Sequence, residues 1–371
     1  MKRLGLLLCL LLTGVSCTGP GRPPPPKTQS ASPGRASGTA VEPSPVVRAR
    51  VVLRAELDER PAPWKRIAFV PFGPREEQLG RLVLPEGLGS QPSAIAVASD
   101  GSFWIDDRWK NRVAHYSGRG RYLGSIGGLR ERGWDLAVVG NQVVALARTA
   151  SDRLAVAEPG GSGVGSSEFR VVEATVDGAP LSLIQVVSSP LGLVAQSGGL
   201  AGTGRSEFGA FVLIRDPGSG RGERVPGLPV GDGHTFFDAD SDERPSGQQQ
   251  FRLTFASPGL VSVHPLRVDL IARHGGVPRS VPAIVGLLEP LPVGDDVVMY
   301  VQVSPSRPTD AEHLGGGRWL LRVGRDPLLW ERLPQPGISD ELQHRHLAVG
   351  PGGAIYLMAP QPAGMVIMRR P

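Results

Sequence analysis

The chain has 371 residues with 50 Gly and 36 Pro, and its 40 Lys and Arg against 35 Asp and Glu give a formal net charge of +5. So many turn-forming residues argue against a helical bundle, and so small a basic excess does not by itself indicate a polyanionic partner. Both cysteines, Cys9 and Cys17, lie near the N-terminus, so the rest of the chain contains no disulfide, thiolate metal site or cysteine nucleophile.

The first seventeen residues have the pattern of an export signal. Lys2 and Arg3 give a cationic start, residues 4–12 form an apolar run, and small residues lead into Cys17. The apolar run is too short to cross about 30 Å of hydrocarbon as a helix of about 20 residues. A cysteine directly after small residues resembles the lipobox of bacterial lipoproteins. The alternative is an ordinary secretory signal with a cysteine near its cleavage site.

The lipobox resemblance implies a signal peptide over residues 1–16 and lipid attachment at Cys17. Gly14 stands where the family usually has Leu, and Thr18 stands where many lipoproteins retained at the inner membrane have Asp. The family rule therefore favours an extracytoplasmic protein, lipid-anchored to the cell envelope at the outer membrane. Several acyl chains would anchor it stably, whereas one chain binds only marginally. Export also argues against a nucleic-acid partner.

Two regions with different composition follow the signal. Residues 17–45 are rich in Pro, Gly, Ser and Thr, which predicts a disordered tether because such a segment buries too little apolar surface to offset its ordering entropy. From residue 46 to residue 371, short runs rich in Val, Ile and Leu alternate with turns of Gly, Pro, Asp and Ser. This alternation predicts a single all-β domain over residues 46–371.

One segment of this domain contains a recognisable repeat. Residues 92–101 read as a strand that ends in an Asp-Gly turn, and three more strand-like runs follow at 103–107, 111–116 and 122–126. The order Pro, Ile-Ala-Val, Asp-Gly, an aromatic strand, Asp and Asn-Arg-Val resembles the NHL repeat, although Ser93-Ala94 replaces the usual glycine. The resemblance implies one four-stranded blade of a β-propeller, a unit that cannot bury both of its faces alone.

A looser copy of the pattern lies near the C-terminus and sets the blade number. Aligning Ile95 with Leu347 gives an offset of 252 residues, which is five or six steps of about 40–50 residues. The sequence therefore predicts six or seven blades, with six favoured. The last copy lacks a fourth strand, and an open edge invites aggregation. We expect strands from the two termini to close the ring, with residues 48–57 as the missing outer strand.

Charged residues around the recognised blade form the first candidate site. Basic residues and tryptophans cluster there, and the candidate ligand-facing loop contains Asp106, Asp107, Arg108 and Lys110. Because export argues against nucleic acid, anionic glycans or lipid headgroups are the better candidate ligands for such a patch. A solvated charged turn with no ligand is the alternative interpretation, and it is the more common one.

Two further patterns suggest metal ligands. Asp238, Asp240 and Asp242 could surround a Ca²⁺ ion, but the segment lacks the glycine and distal glutamate of the helix-loop-helix site. An ordinary acidic surface loop is the alternative, and no other cofactor is predicted. Residues His344 and His346 fall on one face of a strand. A metal site there would also need His313 or Glu341, and a surface pair is the favoured interpretation.

Anchor and fold together predict a binding or scaffolding module for a protein or glycan partner, which uses loops on one propeller face or the channel mouth. The alternative is a propeller hydrolase or lyase with a metal or His in the central channel. A non-enzymatic role is favoured, because the sequence has neither a Gly-x-Ser-x-Gly elbow nor a phosphate-binding loop that ends in Gly-Lys-Ser/Thr.

Overall fold

The fold is taken from a computed structural model. It describes residues 46–47, 50–56, 61, 63–83, 89–127, 133–147, 153–159, 168–197, 209–243, 249–274, 277–306, 316–324, 329–337, 343 and 345–370. The predicted signal peptide, Cys17 and the tether lie outside these residues. Within the described part, no helix is long and apolar enough to cross a membrane.

The described residues form strands throughout, with two short 3-10 turns. Before the recognised repeat, the strands are β1 (Val46–Val47), β2 (Val51–Glu56), β3 (Lys65–Pro71), β4 (Leu82–Val83) and β5 (Gly89–Ser90). Blade one contains β6 (Ile95–Val97), β7 (Phe103–Asp107), the 3-10 turn η1 (Arg108–Lys110), β8 (Arg112–Tyr116) and β9 (Tyr122–Gly127). Blade two contains β10 (Gly133–Val139), β11 (Gln142–Ala147), β12 (Arg153–Ala157) and β13 (Arg170–Glu173).

The next three blades follow in chain order. Blade three consists of β16 (Leu183–Ser189), β17 (Gly192–Ser197), β18 (Ala210–Ile214) and β19 (Arg221–Val225), with β14 (Thr175–Val176) and β15 (Ala179–Pro180) added at its outer edge. Blade four consists of β20 (Leu228–Val230), β21 (Thr235–Glu243), β22 (Gln249–Ser257) and β23 (Leu260–His274), to which β24 (Val277–Val281) also pairs. Blade five consists of β25 (Ala283–Val293), β26 (Asp296–Pro305), β27 (Gly317–Val323) and β28 (Leu329–Arg332).

The sixth blade is built from both ends of the described chain. It contains β29 (Leu347–Val349), the 3-10 turn η2 (Pro351–Gly353), β30 (Ile355–Gln361), β31 (Gly364–Arg370) and, as its outer strand, β3. The innermost strands β6, β10, β16, β20, β25 and β29 each pack against the next, and β29 packs against β6. The described residues therefore form a closed β-propeller of six blades, and the alternative of seven is wrong.

The middle strands of the blades explain the apolar runs in the sequence. In β7, β17 and β30 nearly every residue is buried, because each of these strands lies between two neighbouring blades. The apolar clusters lie at those interfaces: one joins blades six and one, one joins blades one and two, one joins blades two and three, and the largest extends from blade three to blade six. Each blade is thus stabilised by burying its neighbours' apolar faces.

Closure by both termini is confirmed, but the strand expected to close the ring was wrong. The outer strand of blade six is β3, which pairs antiparallel with β31 from Lys65↔Arg369 to Pro71↔Gly364. The expected segment 48–57 instead contributes β2, which pairs in parallel with β23 from Val51↔Leu266 to Glu56↔Ile271. There β2 covers the long outer edge of blade four, where it buries Leu53 and Ala55.

The two ends of the ring carry different turns. The four main strands of each blade are antiparallel, so the first and third connections between them lie at one end and the second connection at the other. We call the end at which the innermost strands begin face A, and the opposite end face B. The connection between β7 and β8 lies on face A. The β22–β23 and β25–β26 turns lie on face B, and β1 reaches the ring near this face, where Val46 pairs with Ser262.

Candidate functional site

The centre of the ring contains a buried ion pair. An irregularity of the β10–β11 pairing lies between Gly133 and Leu136, and the intervening Asp135 binds Arg345 through both carboxylate oxygens. The two side chains are each 2% exposed. Burial opposes the charge of the Arg345 guanidinium, but the adjacent Asp135 carboxylate outweighs this and raises the pKa of Arg345. Arg345 therefore stays charged at the centre of the ring.

Further hydrogen bonds connect this pair to four blades. The Asp135 carboxylate accepts the backbone N–H groups of Leu136 at 2.9 Å and of Val186 at 2.8 Å. Arg345 donates from its guanidinium to the Val186 carbonyl and from its backbone N–H to the Ser93 carbonyl, the latter at 3.0 Å. Blades one, two, three and six thus meet at one charged, hydrogen-bonded cluster, which is the arrangement a buried ion pair needs to be tolerated.

The central channel beside this cluster is almost filled. A cavity of about 40 Å³ remains, lined mainly by apolar side chains of the innermost strands, and its polar side chains among the described residues are Ser188 and Arg345. A volume of this size holds water molecules, whereas small-molecule sites commonly measure about 300–1,000 Å³. In the described part of the chain, the channel cavity is therefore too small to enclose a substrate of ordinary size.

His346 belongs to a second buried polar group near the channel. Glu289, held at φ 53° in β25, accepts the backbone N–H groups of His346 at 2.8 Å and Leu347 at 2.9 Å. It also contacts His346 Nδ1 at 2.5 Å, and the imidazole stacks on Tyr300 with ring centroids 4.3 Å apart. The His346 side chain is thus buried in the core and not paired on the surface. The other three proposed ligands, at positions 313, 341 and 344, lie outside the described residues.

Two residues of the candidate ligand-facing loop are interior, which corrects the expectation for them. Asp106 and Asp107 end the fully buried strand β7. Asp106 accepts the Ser93 hydroxyl, and Asp107 accepts the Gly80 N–H at 2.8 Å and Arg112 Nε at 3.0 Å. These carboxylates cannot reach a ligand on the surface, because their oxygens are directed at groups of the ring itself.

The 3-10 turn η1 carries the other two residues of that loop. Lys110 Nζ donates to the Gln78 carbonyl at 2.8 Å and also to the Arg75 carbonyl, so it fixes η1 to the segment that follows β3. Arg108 also has a partner within the protein. Between them Trp109 is 50% exposed. The covered part of its side chain lies close to Gly80, since a Cβ atom added to that glycine would be only 2.8 Å from it. The structure therefore presents Trp109, packed against Gly80, as an exposed aromatic side chain on face A, which the sequence indicated only as part of a basic and aromatic cluster.

The three aspartates proposed for Ca²⁺ lie along a strand and not in a loop. Asp238 and Asp240 belong to β21, where they pair with Thr254 and Arg252 of β22. Alternate side chains on a strand are about 7 Å apart, so these carboxylates do not wrap around one ion. The side chain of Asp242 lies outside the described part. Among the described residues, no group of three His, Cys, Asp or Glu side chains could hold a metal ion.

Asp106 leads to a prediction about pH. Burial, partly opposed by the Ser93 hydroxyl, raises the pKa of Asp106 to about 6 from 3.8. The folded state therefore binds this proton more tightly than the unfolded state does, and stability falls as the pH rises from about 4 to about 6. Asp106→Asn keeps an acceptor for Ser93 and removes the titration. We expect the variant to gain about 2–3 kcal/mol relative to wild type across this window, measured by urea unfolding; a pH-independent difference would contradict the assignment.

The chain matches no protein-family model and no curated protein. Among solved structures it is similar to a PQQ-bound aldose sugar dehydrogenase from Streptomyces coelicolor, with 14% identity, coverage of 84% of this chain and 99% of that chain, and a TM-score of 0.40. It is also similar to BamB from Moraxella catarrhalis (11% identity, 83% and 98% coverage, TM-score 0.34) and to a streptogramin B lyase (9%, 75% and 92%, TM-score 0.34). These are β-propeller proteins with different roles, and at such identities the similarity extends to the fold alone.

Proposed function

We propose that the protein is an NHL-repeat-like propeller lipoprotein that acts as a binding or scaffolding module outside the cytoplasm. Lipid at Cys17 anchors it to the cell envelope, at the outer membrane, and residues 17–45 serve as the tether. The partner is a protein or a glycan. The observation that carries this proposal is the channel, whose cavity is lined in part by Arg345 of the buried Asp135–Arg345 pair and measures only about 40 Å³.

The small volume of the channel cavity favours binding over the alternative of a channel hydrolase or lyase. That alternative needs a metal or an imidazole that faces a substrate. The channel cavity is lined by neither in the described part of the chain, and His346 is engaged by Glu289 and Tyr300. Surface recognition needs no cavity, since binding energy concentrates in a few well-supported side chains.

Trp109 is the side chain that we expect to make the central contact on face A. A rigid, half-exposed tryptophan loses little conformational entropy on binding and offers a large apolar surface, and for these reasons Trp is enriched among the residues that dominate interfaces. Its support by Gly80 and by the Lys110 contacts exists before any partner arrives. This preorganisation lowers the cost of association.

The test of this surface is a variant that removes the indole ring of Trp109 without unfolding the propeller. We expect Trp109→Ala to remain folded, as judged by its circular dichroism spectrum, and to reduce recovery of cross-linked partners from intact envelopes by at least about tenfold, as for a typical dominant contact. Val171→Ala is the matched control, because Val171 is equally exposed but lies on the outer strand of blade two. Equal recovery by the two variants would contradict the proposed surface.

The anchor is tested separately by changing the two cysteines. We expect Cys17→Ser to shift the protein from the membrane fraction to the soluble fraction, because the acylated thiol is lost. Cys9→Ser should leave the distribution unchanged, since residue 9 would be removed with the signal peptide. Membrane association that survives Cys17→Ser would argue against lipidation.

A further inference from the structure

A second cleft lies on face B, where blades four and five meet. Its volume is about 70 Å³, larger than that of the channel cavity. The topology places it at the opposite end of the ring from Trp109, because it is lined by the β22–β23 and β25–β26 turns and by the strand ends next to them. Its polar lining consists of Thr235, Ser257, Ser262, His264 and Asp295.

The groups at the base of this cleft are ordered before any ligand binds. Ser262 and His264 occupy successive positions on the same side of β23, and Ser262 Oγ lies 3.2 Å from His264 Nε2. The imidazole meets the Phe255 ring edge-on, with centroids 5.7 Å apart and an interplanar angle of 77°. Phe255 in turn packs on Phe237 at 5.1 Å. The pairing of β1 with Ser262 covers the outer edge of this strand.

The chemistry of the lining selects the class of ligand. Three hydroxyls and an imidazole can each donate or accept a hydrogen bond, and the Asp295 carboxylate accepts. The lining contains no Lys or Arg among the described residues, and a carboxylate disfavours an anion. Phe255 and the partly exposed Leu260 supply apolar walls. A ligand that offers several neutral hydroxyls on one edge and C–H groups on its face satisfies both parts of this surface.

We propose that this cleft binds a neutral sugar unit, such as the terminal residue of a glycan. Its size fits part of one ring, so a longer oligosaccharide would extend from face B into solvent. The inference rests on the proposed function in the case where the partner is a glycan. It adds a second contact, which is separate from the Trp109 surface on face A.

The test follows the His264 side chain by NMR in the full chain carrying Cys17→Ser. The probes are glucose, galactose, N-acetylglucosamine and rhamnose, with glycerol as the additive control, and His264→Gln assigns the signal. We expect at least one sugar to shift the His264 resonance saturably, while His115 in blade one does not move. Ser262→Ala should raise the dissociation constant roughly fivefold, the factor of one neutral hydrogen bond.

The sugar site would be overturned if no probe shifts His264 saturably, or if glycerol produces the same shift as the sugars. An unchanged dissociation constant in Ser262→Ala would also overturn it. Trp109→Ala separates this inference from the face A proposal. We expect that variant to keep the His264 shift, so the sugar site and the partner surface can fail independently.

Discussion

Replacing Arg345 with Met should lower the free energy of unfolding by about 3–5 kcal/mol, because the Asp135 carboxylate is then left buried without its partner. Both side chains are almost completely inaccessible, and four blades contribute hydrogen bonds to them. The loss is measured by urea unfolding followed by circular dichroism. We expect the midpoint to fall while the denaturant slope stays constant, since the surface exposed on unfolding does not change.

Two variants make this result specific. Arg215→Met breaks the Arg215–Glu223 pair, whose side chains are 64% and 55% exposed, and should cost less than about 1 kcal/mol. The double variant Asp135→Ala with Arg345→Met removes both buried charges and should recover part of the single-variant loss. A loss in Arg345→Met no larger than that in Arg215→Met would show that the central pair does not hold the blades together.

Deleting residues 1–71 should abolish the monomeric ring, whereas deleting residues 1–57 should leave it closed but less stable. The longer deletion removes β3, exposes the edge of β31 and uncovers the apolar cluster between blades six and one. An unpaired edge of this kind promotes association. The shorter deletion removes β1 and β2, which only add to the outer edge of blade four. Size-exclusion chromatography and thermal unfolding of both truncations make the comparison.

A pair of point variants tests the same closure of blade six by β3 if the longer deletion does not yield protein. Val70 is buried in β3 and Val52 is 48% exposed in β2. Val70→Asp should cost about 3 kcal/mol or more, because it places a carboxylate in the apolar interface, and Val52→Asp should cost little. Equal effects of the two substitutions, or of the two truncations, would contradict closure through β3.

The repeat unit could be predicted because its signals are local. Asp100 and Gly101 form the turn of blade one: Gly101 adopts φ 81° and the Asp100 side chain accepts the Ser102 N–H at 2.9 Å. These interactions depend on three neighbouring residues, and so they are visible in the sequence. The spacing of the two copies limited the blade number to six or seven, with six favoured. The all-β ring and its closure by both termini were therefore predictable.

The closing strand and the central cluster could not be predicted for the opposite reason. Segments 48–57 and 65–71 both read as strands, and only their pairing with distant parts of the chain distinguishes them. Asp135 and Arg345 are 210 residues apart, so no local pattern connects them. The burial of Asp106 and Asp107 could not be predicted for the same reason. A charged side chain in a turn is usually exposed to solvent, but here both carboxylates accept hydrogen bonds from residues outside their own strand.

The parallel pairing of β2 with β23 has a mechanical consequence. If a partner holds face A while the preceding chain is pulled from face B, the tension acts along the axis of β2. The hydrogen bonds from Val51↔Leu266 to Glu56↔Ile271 then share the load in shear and must rupture together, instead of peeling apart one at a time. Because forced unfolding is governed by the unfolding rate, this geometry would resist such a pull kinetically.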